Sequence, residues 1–190
     1  MRSFNEEMSQ KNYTTEAIVL KRVNVGELDR IVTLFTPQKG KLVCVAKGVR
    51  KMNSSQRAYL EPGNYISVMM IETKSLPLLT QTRLINDFSQ TKKSLTSLKK
   101  LTEVLEIIDQ LFPEGVEEES LFAQVVSILE QLSSASASFT TIQQQLVDVV
   151  AQLGYPAMAE TPYTSLLEYV SSVVERPLHS YDYLTVKDKN

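Results

Sequence analysis

The hydrophobic period of this chain changes once, near Phe88, and that change constrains its architecture more than any other feature. Between Tyr13 and Phe88 apolar residues alternate or gather in short β-branched runs, the pattern of strands half-buried on a core. Thr15–Val25 reads as a first strand, long for its kind, interrupted at Gly26. Arg30–Thr36 is the second, stopped by Pro37. The stretch Pro37-Gln38-Lys39-Gly40 has turn composition, because proline presets φ and glycine tolerates positive φ. Lys41–Lys47 is the third strand, ended by Gly48, and Leu60–Ile71 and Leu78–Phe88 supply the fourth and fifth. Five glycine-punctuated strands in so short a stretch predict a small closed barrel of the OB type. The polar, basic segment Gly48–Arg57 (GVRKMNSSQR) reads as a long loop with room for one helical turn.

After Phe88 apolar residues recur every three or four positions. Leu95, Leu98, Leu101, Val104, Leu105, Ile108 and Leu111 form one face of a helix that Pro113 and Gly115 end. Leu121, Phe122, Val125, Ile128, Leu129 and Leu132 mark a second, with Glu117–Glu119 at its electropositive start. Beyond the connector Ser133–Ser138, a third helix through Ile142, Leu146, Val149, Val150 and Leu153 closes at Gly154, with Pro156 beyond. Thr161-Pro162 has the chemistry of an N-cap and first-turn proline, opening a fourth helix through Leu166, Tyr169, Val170 and Val173 that stops at Pro177. The expected architecture is α+β: a tail over residues 1–12, an OB-fold domain over 13–88 and an all-α domain over 89–190.

Charge follows the same division. The net charge of −2 conceals 17 Lys+Arg against 8 Asp+Glu in the first hundred residues and 3 against 14 in the remainder. A front half at +9 suits a polyanionic partner, and a back half at −11 orients it or serves a different one. One Cys and one His among 190 residues exclude an intrachain disulfide and a four-ligand zinc cage. No run approaches the roughly 18 apolar residues of a membrane span, and the first dozen lack the apolar core of a secretory signal. The expectation is a soluble cytoplasmic protein without membrane contact, cofactor or metal.

Catalytic chemistry is absent from the pattern. His179 has no nucleophile near it in sequence, Cys44 lies mid-strand between valines, and no Walker loop or GxGxxG occurs. The cations are better placed. Lys21 and Arg22 fall in the first strand, Arg30 opens the second, Lys39 and Lys41 flank the turn, and Lys47, Arg50, Lys51 and Arg57 line the long loop. Converging on one barrel face, these nine would track a phosphate backbone. Tyr59 and Tyr65 are the aromatics available to stack on bases, whereas Phe35, among apolar neighbours, reads as core.

Residues 14–51, TTEAIVLKRVNVGELDRIVTLFTPQKGKLVCVAKGVRK, resemble the opening of the RecO family of bacterial DNA-repair proteins. The likeness lies in Gly-Glu-x-Asp-Arg after the first strand, Phe-Thr closing the second, Gly-Lys in the turn and Ala-Lys-Gly-x-Arg after the third. Leu60-Glu-Pro-Gly63, Leu111-Phe-Pro-Glu-Gly115, Leu153-Gly-Tyr-Pro156 and Arg176-Pro-Leu-His-Ser180 continue it in order. The resemblance implies an OB-fold that binds single- and double-stranded DNA, joined to a helical domain. It also implies strand annealing without catalysis, and recombinase loading together with RecR and single-stranded-DNA-binding protein. Many members carry a four-cysteine zinc module after the Leu-Gly turn, but residues 157–165 contain no Cys. The helical domain is therefore expected to be a trimmed one. A site for the acidic, apolar-ended tail of single-stranded-DNA-binding protein would have to draw on Lys92, Lys93, Lys99, Lys100 and Arg176, since little else in the helical half is basic. Two other readings stand beside this one: a protein-docking adaptor, and a generic single-strand- or RNA-binding OB protein.

Overall fold

The computed structural model describes residues 12–117, 119–134, 138–175 and 178. Its first half is five strands: β1 (Asn12–Val25), β2 (Asp29–Thr36), β3 (Gly40–Ala46), β4 (Tyr65–Ile71) and β5 (Leu78–Asn86), with a single helical turn α1 (Gln56–Tyr59) between β3 and β4. They close in the order β1-β2-β3-β5-β4, every pairing antiparallel except the short parallel contact of Val45 and Ala46 with Leu78 and Leu79. This is the five-stranded OB barrel that the strand pattern predicts. The fourth strand begins at Tyr65 rather than Leu60. Pro62 has no N–H to give to a ladder and Gly63 adopts φ +84°, so the chain turns there before pairing.

The long first strand is one strand with a bulge. Val19 pairs with Leu34 and Lys21 with Thr33, leaving Leu20 as the extra residue. Up to Val19 the alternation is regular: Ala17 and Val19 enter the barrel core, while Ile18 and Leu20 point to the helices. The bulge reverses the alternation, because one added residue moves every later side chain to the other face. Lys21 thus joins the outer face, and Arg22, opposite the core residue Val32, turns into the barrel mouth.

The second half comprises α2 (Leu95–Leu111), α3 (Glu119–Leu132), α4 (Phe139–Gln152) and α5 (Leu166–Val173). Ser94 and Ser138 cap α2 and α4 by accepting the N–H groups of Ser97 and Thr141. Gly154 follows α4 at φ +86°, as its C-cap role requires. The start of α5 departs from expectation. Met158–Glu160 form a 3₁₀ turn that takes up the Thr161 hydroxyl on the Met158 carbonyl, so Thr161-Pro162 closes that turn and α5 starts after Ser165. Leu95 and Leu98 also differ: both are exposed, because the first turn of α2 extends past its covering elements and the buried face begins at Leu101. The stop at Pro177 lies outside the described residues.

Two apolar cores result. One fills the barrel with Val32, Leu34, Cys44, Ile66, Val68 and Met70. Cys44 donates to the Val32 carbonyl, and burial pushes its thiol pKa up to about 12, which agrees with a core residue rather than a reactive one. The other core unites the helices with Ile18, Leu20 and Phe35 from the outside of the barrel; the Phe35 ring packs tilted against Phe112 and Phe122, with centroids 4.5 and 5.5 Å away. Among the described residues no helix is long and apolar enough to cross a membrane.

Candidate nucleic-acid interface

The nine barrel cations do not share one face. Three separate environments receive them, and the carboxylates nearby decide what each can do.

Lys21 and Lys41 lie on the flank of the barrel that meets the C-terminal end of α2. The Lys21 ammonium is 2.7 Å from the Asp109 carboxylate, and Lys41 donates to the Asp109 carbonyl. Backbone bonds reinforce the junction, Lys41 N–H to the Pro113 carbonyl and Gly115 N–H to the Lys41 carbonyl. With Val23, Ile31, Thr33, Val43, Gln110 and Glu114 the two lysines line an open groove of about 340 Å³. Lys39, on the turn between β2 and β3, is 2.6 Å from Glu72 and lies 4.3 Å over the Tyr13 ring; the hydrogen bond to Glu72 raises its pKa. These three lysines are already engaged by the protein, Lys21 and Lys41 sharing Asp109 and Lys39 paired with Glu72.

Arg22 and Arg30 plug the barrel mouth. Arg22 donates two hydrogen bonds, of 3.0 and 2.7 Å, to one Glu61 oxygen. The Arg30 side chain, only 3% exposed, reaches the other Glu61 oxygen at 3.4 Å, the Asn24 side chain and the Arg57 carbonyl. Burial, then the proximity of Arg22, lowers the Arg30 pKa, and Glu61 opposes both. A buried guanidinium held this way supports the fold, and reaching a phosphate would require it to leave Glu61.

Lys47, Arg50, Lys51 and Arg57 remain, all on or beside the loop between β3 and α1, at the same end as the β1–β2 turn. The signature segments Gly26-Glu-Leu-Asp-Arg30 and Ala46-Lys-Gly-Val-Arg50 clasp one another here. Asp29 accepts the Gly48 N–H at 2.7 Å, Arg50 N–H donates to the Leu28 carbonyl, and the Arg50 guanidinium donates to the Gly26 carbonyl. Val49 is buried in the barrel core beneath. Gly48 stands at φ +66°, and the aliphatic stem of Lys51 crosses it so closely that a Cβ there would lie 3.3 Å from the Lys51 Cε. Arg50 is thus a clasp residue. Among the described residues no carboxylate pairs with Lys47, Lys51 or Arg57, so these three offer unneutralised charge on an ordered loop.

The aromatics fare differently from a stacking platform. Tyr59 is half-buried against the barrel core. Tyr65 donates to the Glu16 carboxylate and sets its ring 6.1 Å from Phe122, near the helices. The cluster expected to bind the acidic tail is partly engaged as well. Lys92 donates to the Asn64 side chain at 2.8 Å and Lys100 is 2.8 Å from Glu103, which leaves Lys93 and Lys99; Arg176 lies outside the described residues. Sequence reasoning missed Asp29 and Glu61 as the organisers of this end. The signal for Asp29 was its place in Gly26-Glu-Leu-Asp-Arg30; Glu61 lies in Leu60-Glu-Pro-Gly63, but nothing there ties it to Arg22 or Arg30.

The fold and this end together define an OB-barrel protein with a helical half packed on its flank and a cationic loop at its open end. Residues 8–88 match the family described as "Recombination protein O N terminal". Relatives named "DNA repair protein RecO" include one from Salinibacter ruber, 32% identical over 75% of this chain and 58% of its own length. Another, from Pelotomaculum thermopropionicum, is 30% identical over 79% of this chain and 58% of its own. A third, from Nocardioides, reaches 42% identity over 41% of this chain and 32% of its own. The chain belongs to the RecO family of DNA repair and recombination proteins. It spans a little over half the length of the relatives from Salinibacter and Pelotomaculum.

Proposed function

We propose that this chain is a non-catalytic DNA-binding mediator of recombinational repair in the cytoplasm. It holds single- and double-stranded DNA at the open end of its barrel, promotes annealing, and assists recombinase loading with RecR and single-stranded-DNA-binding protein. What supports the reading is one observation: among the described residues Lys47, Lys51 and Arg57 have no carboxylate partner, and they lie on or beside a loop that the Asp29 and Arg50 clasp holds in place. Phosphate contacts are worth most when cations are neither neutralised nor disordered beforehand. Contact with the acidic tail of single-stranded-DNA-binding protein would rest on Lys93 and Lys99, a small charge beside an acidic helical half, and is expected to be weak and salt-sensitive.

The adaptor reading has an observation of its own: Val23, Val25 and Leu28 are exposed on the β1–β2 hairpin beside the flank groove. Titration of labelled single- and double-stranded DNA at several salt concentrations separates the two. A mediator's affinity falls with salt at a log–log slope of about −0.7 per neutralised phosphate on single strands. Lys47→Glu, Lys51→Glu and Arg57→Glu together should flatten that slope by about 2. Undiminished binding by the folded triple variant, with the salt slope of the wild type unchanged, would overturn the assignment.

A further inference from the structure

Met52 sits at the tip of the same loop, and its side chain is 100% exposed. No other large apolar residue described is left so open; Leu95 follows at 68%. The loop around it is far from loose. Three residues earlier Val49 is 3% exposed in the barrel core, Gly48 is tied to Asp29, and three residues on from Asn53 the side chain of Gln56 donates to the Thr80 carbonyl. Between these anchors the chain makes successive tight turns, Lys51 N–H to the Gly48 carbonyl at 3.1 Å and Ser54 N–H to the Lys51 carbonyl at 3.0 Å. Met52 and Asn53 are the two central residues of the second turn. A braced turn therefore pushes one apolar side chain into solvent, with Lys51 beside it and Lys47 and Arg57 at the feet of the loop.

We propose that Met52 is a wedge that enters the base stack of DNA whose phosphates are held by Lys47, Lys51 and Arg57. The inference rests on the DNA-binding reading above and adds what the loop does to its ligand. A lone exposed methionine on a cationic loop fits a target that presents anionic backbone on the outside and apolar surface only between its stacked bases. An unbranched thioether is narrow and polarisable enough to enter a base step, and methionine is among the side chains that kink or unstack DNA this way. Aromatic platforms serve the alternative, sequence-tolerant stacking on an already open strand. The aromatic nearest in sequence, Tyr59, packs on the barrel core instead. Insertion needs a rigid base behind the wedge, which the Val49 and Asp29 anchors provide.

Duplex and single-stranded oligonucleotides carrying one 2-aminopurine report the step, because stacking quenches that base, while anisotropy of an end label reports binding in the same titration. The wild-type chain should bind and raise the 2-aminopurine signal roughly twofold or more as the base unstacks. Met52→Ala, which touches no core, should bind with the same salt slope and lose the rise, and Met52→Leu should keep it. A rise of equal size with Met52→Ala, or binding by the wild type without a rise, overturns the wedge and leaves the DNA-binding reading intact. Absence of wild-type binding at low salt overturns the DNA-binding reading, and the wedge with it.

Discussion

Gly26 and Gly40 stand at opposite ends of β2 with almost the same backbone, φ +56° and +53°. Around Gly26 nothing lies within 4 Å of where a Cβ would be, whereas at Gly40 that Cβ would fall on the Val116 carbonyl. One turn faces solvent and the other is pressed against the segment that links α2 to α3. The cations divide in the same way. Lys41, next to Gly40, is bound to Asp109 and its backbone to Pro113, while Lys47 and Lys51 at the Gly26 end have no carboxylate partner among the described residues. A cation in a packed region supports folding, and one in an open, braced region is left for a ligand. Counting basic residues in the sequence cannot separate these two roles.

The sharpest way to break this comparison is to substitute both glycines. Gly40→Ala should cost about 4 kcal/mol, from the left-handed penalty plus displacement of the Val116 backbone, and Gly26→Ala about 1 kcal/mol from the penalty alone. Urea denaturation measures both; equal losses would mean that the two ends are not differently packed. Next in size is Glu61→Ala, which leaves the buried Arg30 guanidinium without its counter-charge. A loss of about 3 kcal/mol is expected, at the low end for a broken buried pair because Glu61 is itself partly exposed. Its DNA affinity should not fall, since the change removes a negative charge beside the loop. Weaker DNA binding by the folded Glu61→Ala variant would show instead that Glu61 holds Arg22 and Arg30 in position for DNA.

Asp29 tests whether order in the loop matters as well as charge. Asp29→Ala and Asp29→Asn change net charge equally, but only asparagine keeps an oxygen for the Gly48 N–H. Losing that hydrogen bond should weaken DNA binding about fivefold in Asp29→Ala, and Asp29→Asn should match or exceed the wild type. If the two variants bind alike, the clasp has no part in recognition. Smallest of all is Lys21→Gln on the packed flank. Lys21 is 56% exposed, so its pair with Asp109 should contribute about 0.5 kcal/mol or less to stability, with DNA affinity changed less than in Lys51→Gln.

The strands and helices were legible because alternation and helical spacing are local, and the cap residues Ser94 and Gly154 act within a few positions of themselves. The two misplaced starts, at Leu60 and at Thr161-Pro162, have local causes too: a Pro-Gly turn after an apolar residue, and a 3₁₀ turn that accepted the threonine first. The fate of the cations was illegible for a different reason. Glu61 stands 39 residues from Arg22 and Asp109 stands 88 from Lys21, and no spacing rule joins them. The bulge at Leu20 compounds this, since a single extra residue decides that Lys21 faces the helices and Arg22 the barrel mouth.

That strand has one more consequence. Through Ala17, Ile18, Val19 and Leu20, β1 is a party wall whose successive residues belong alternately to the barrel interior and to the helical core. A cut near residue 88 would follow the change of hydrophobic period and still leave half of that wall bare, with Ile18, Leu20 and Phe35 turned to water. The barrel alone would then be a different object from the barrel in this chain, adhesive on the side where the intact molecule is closed.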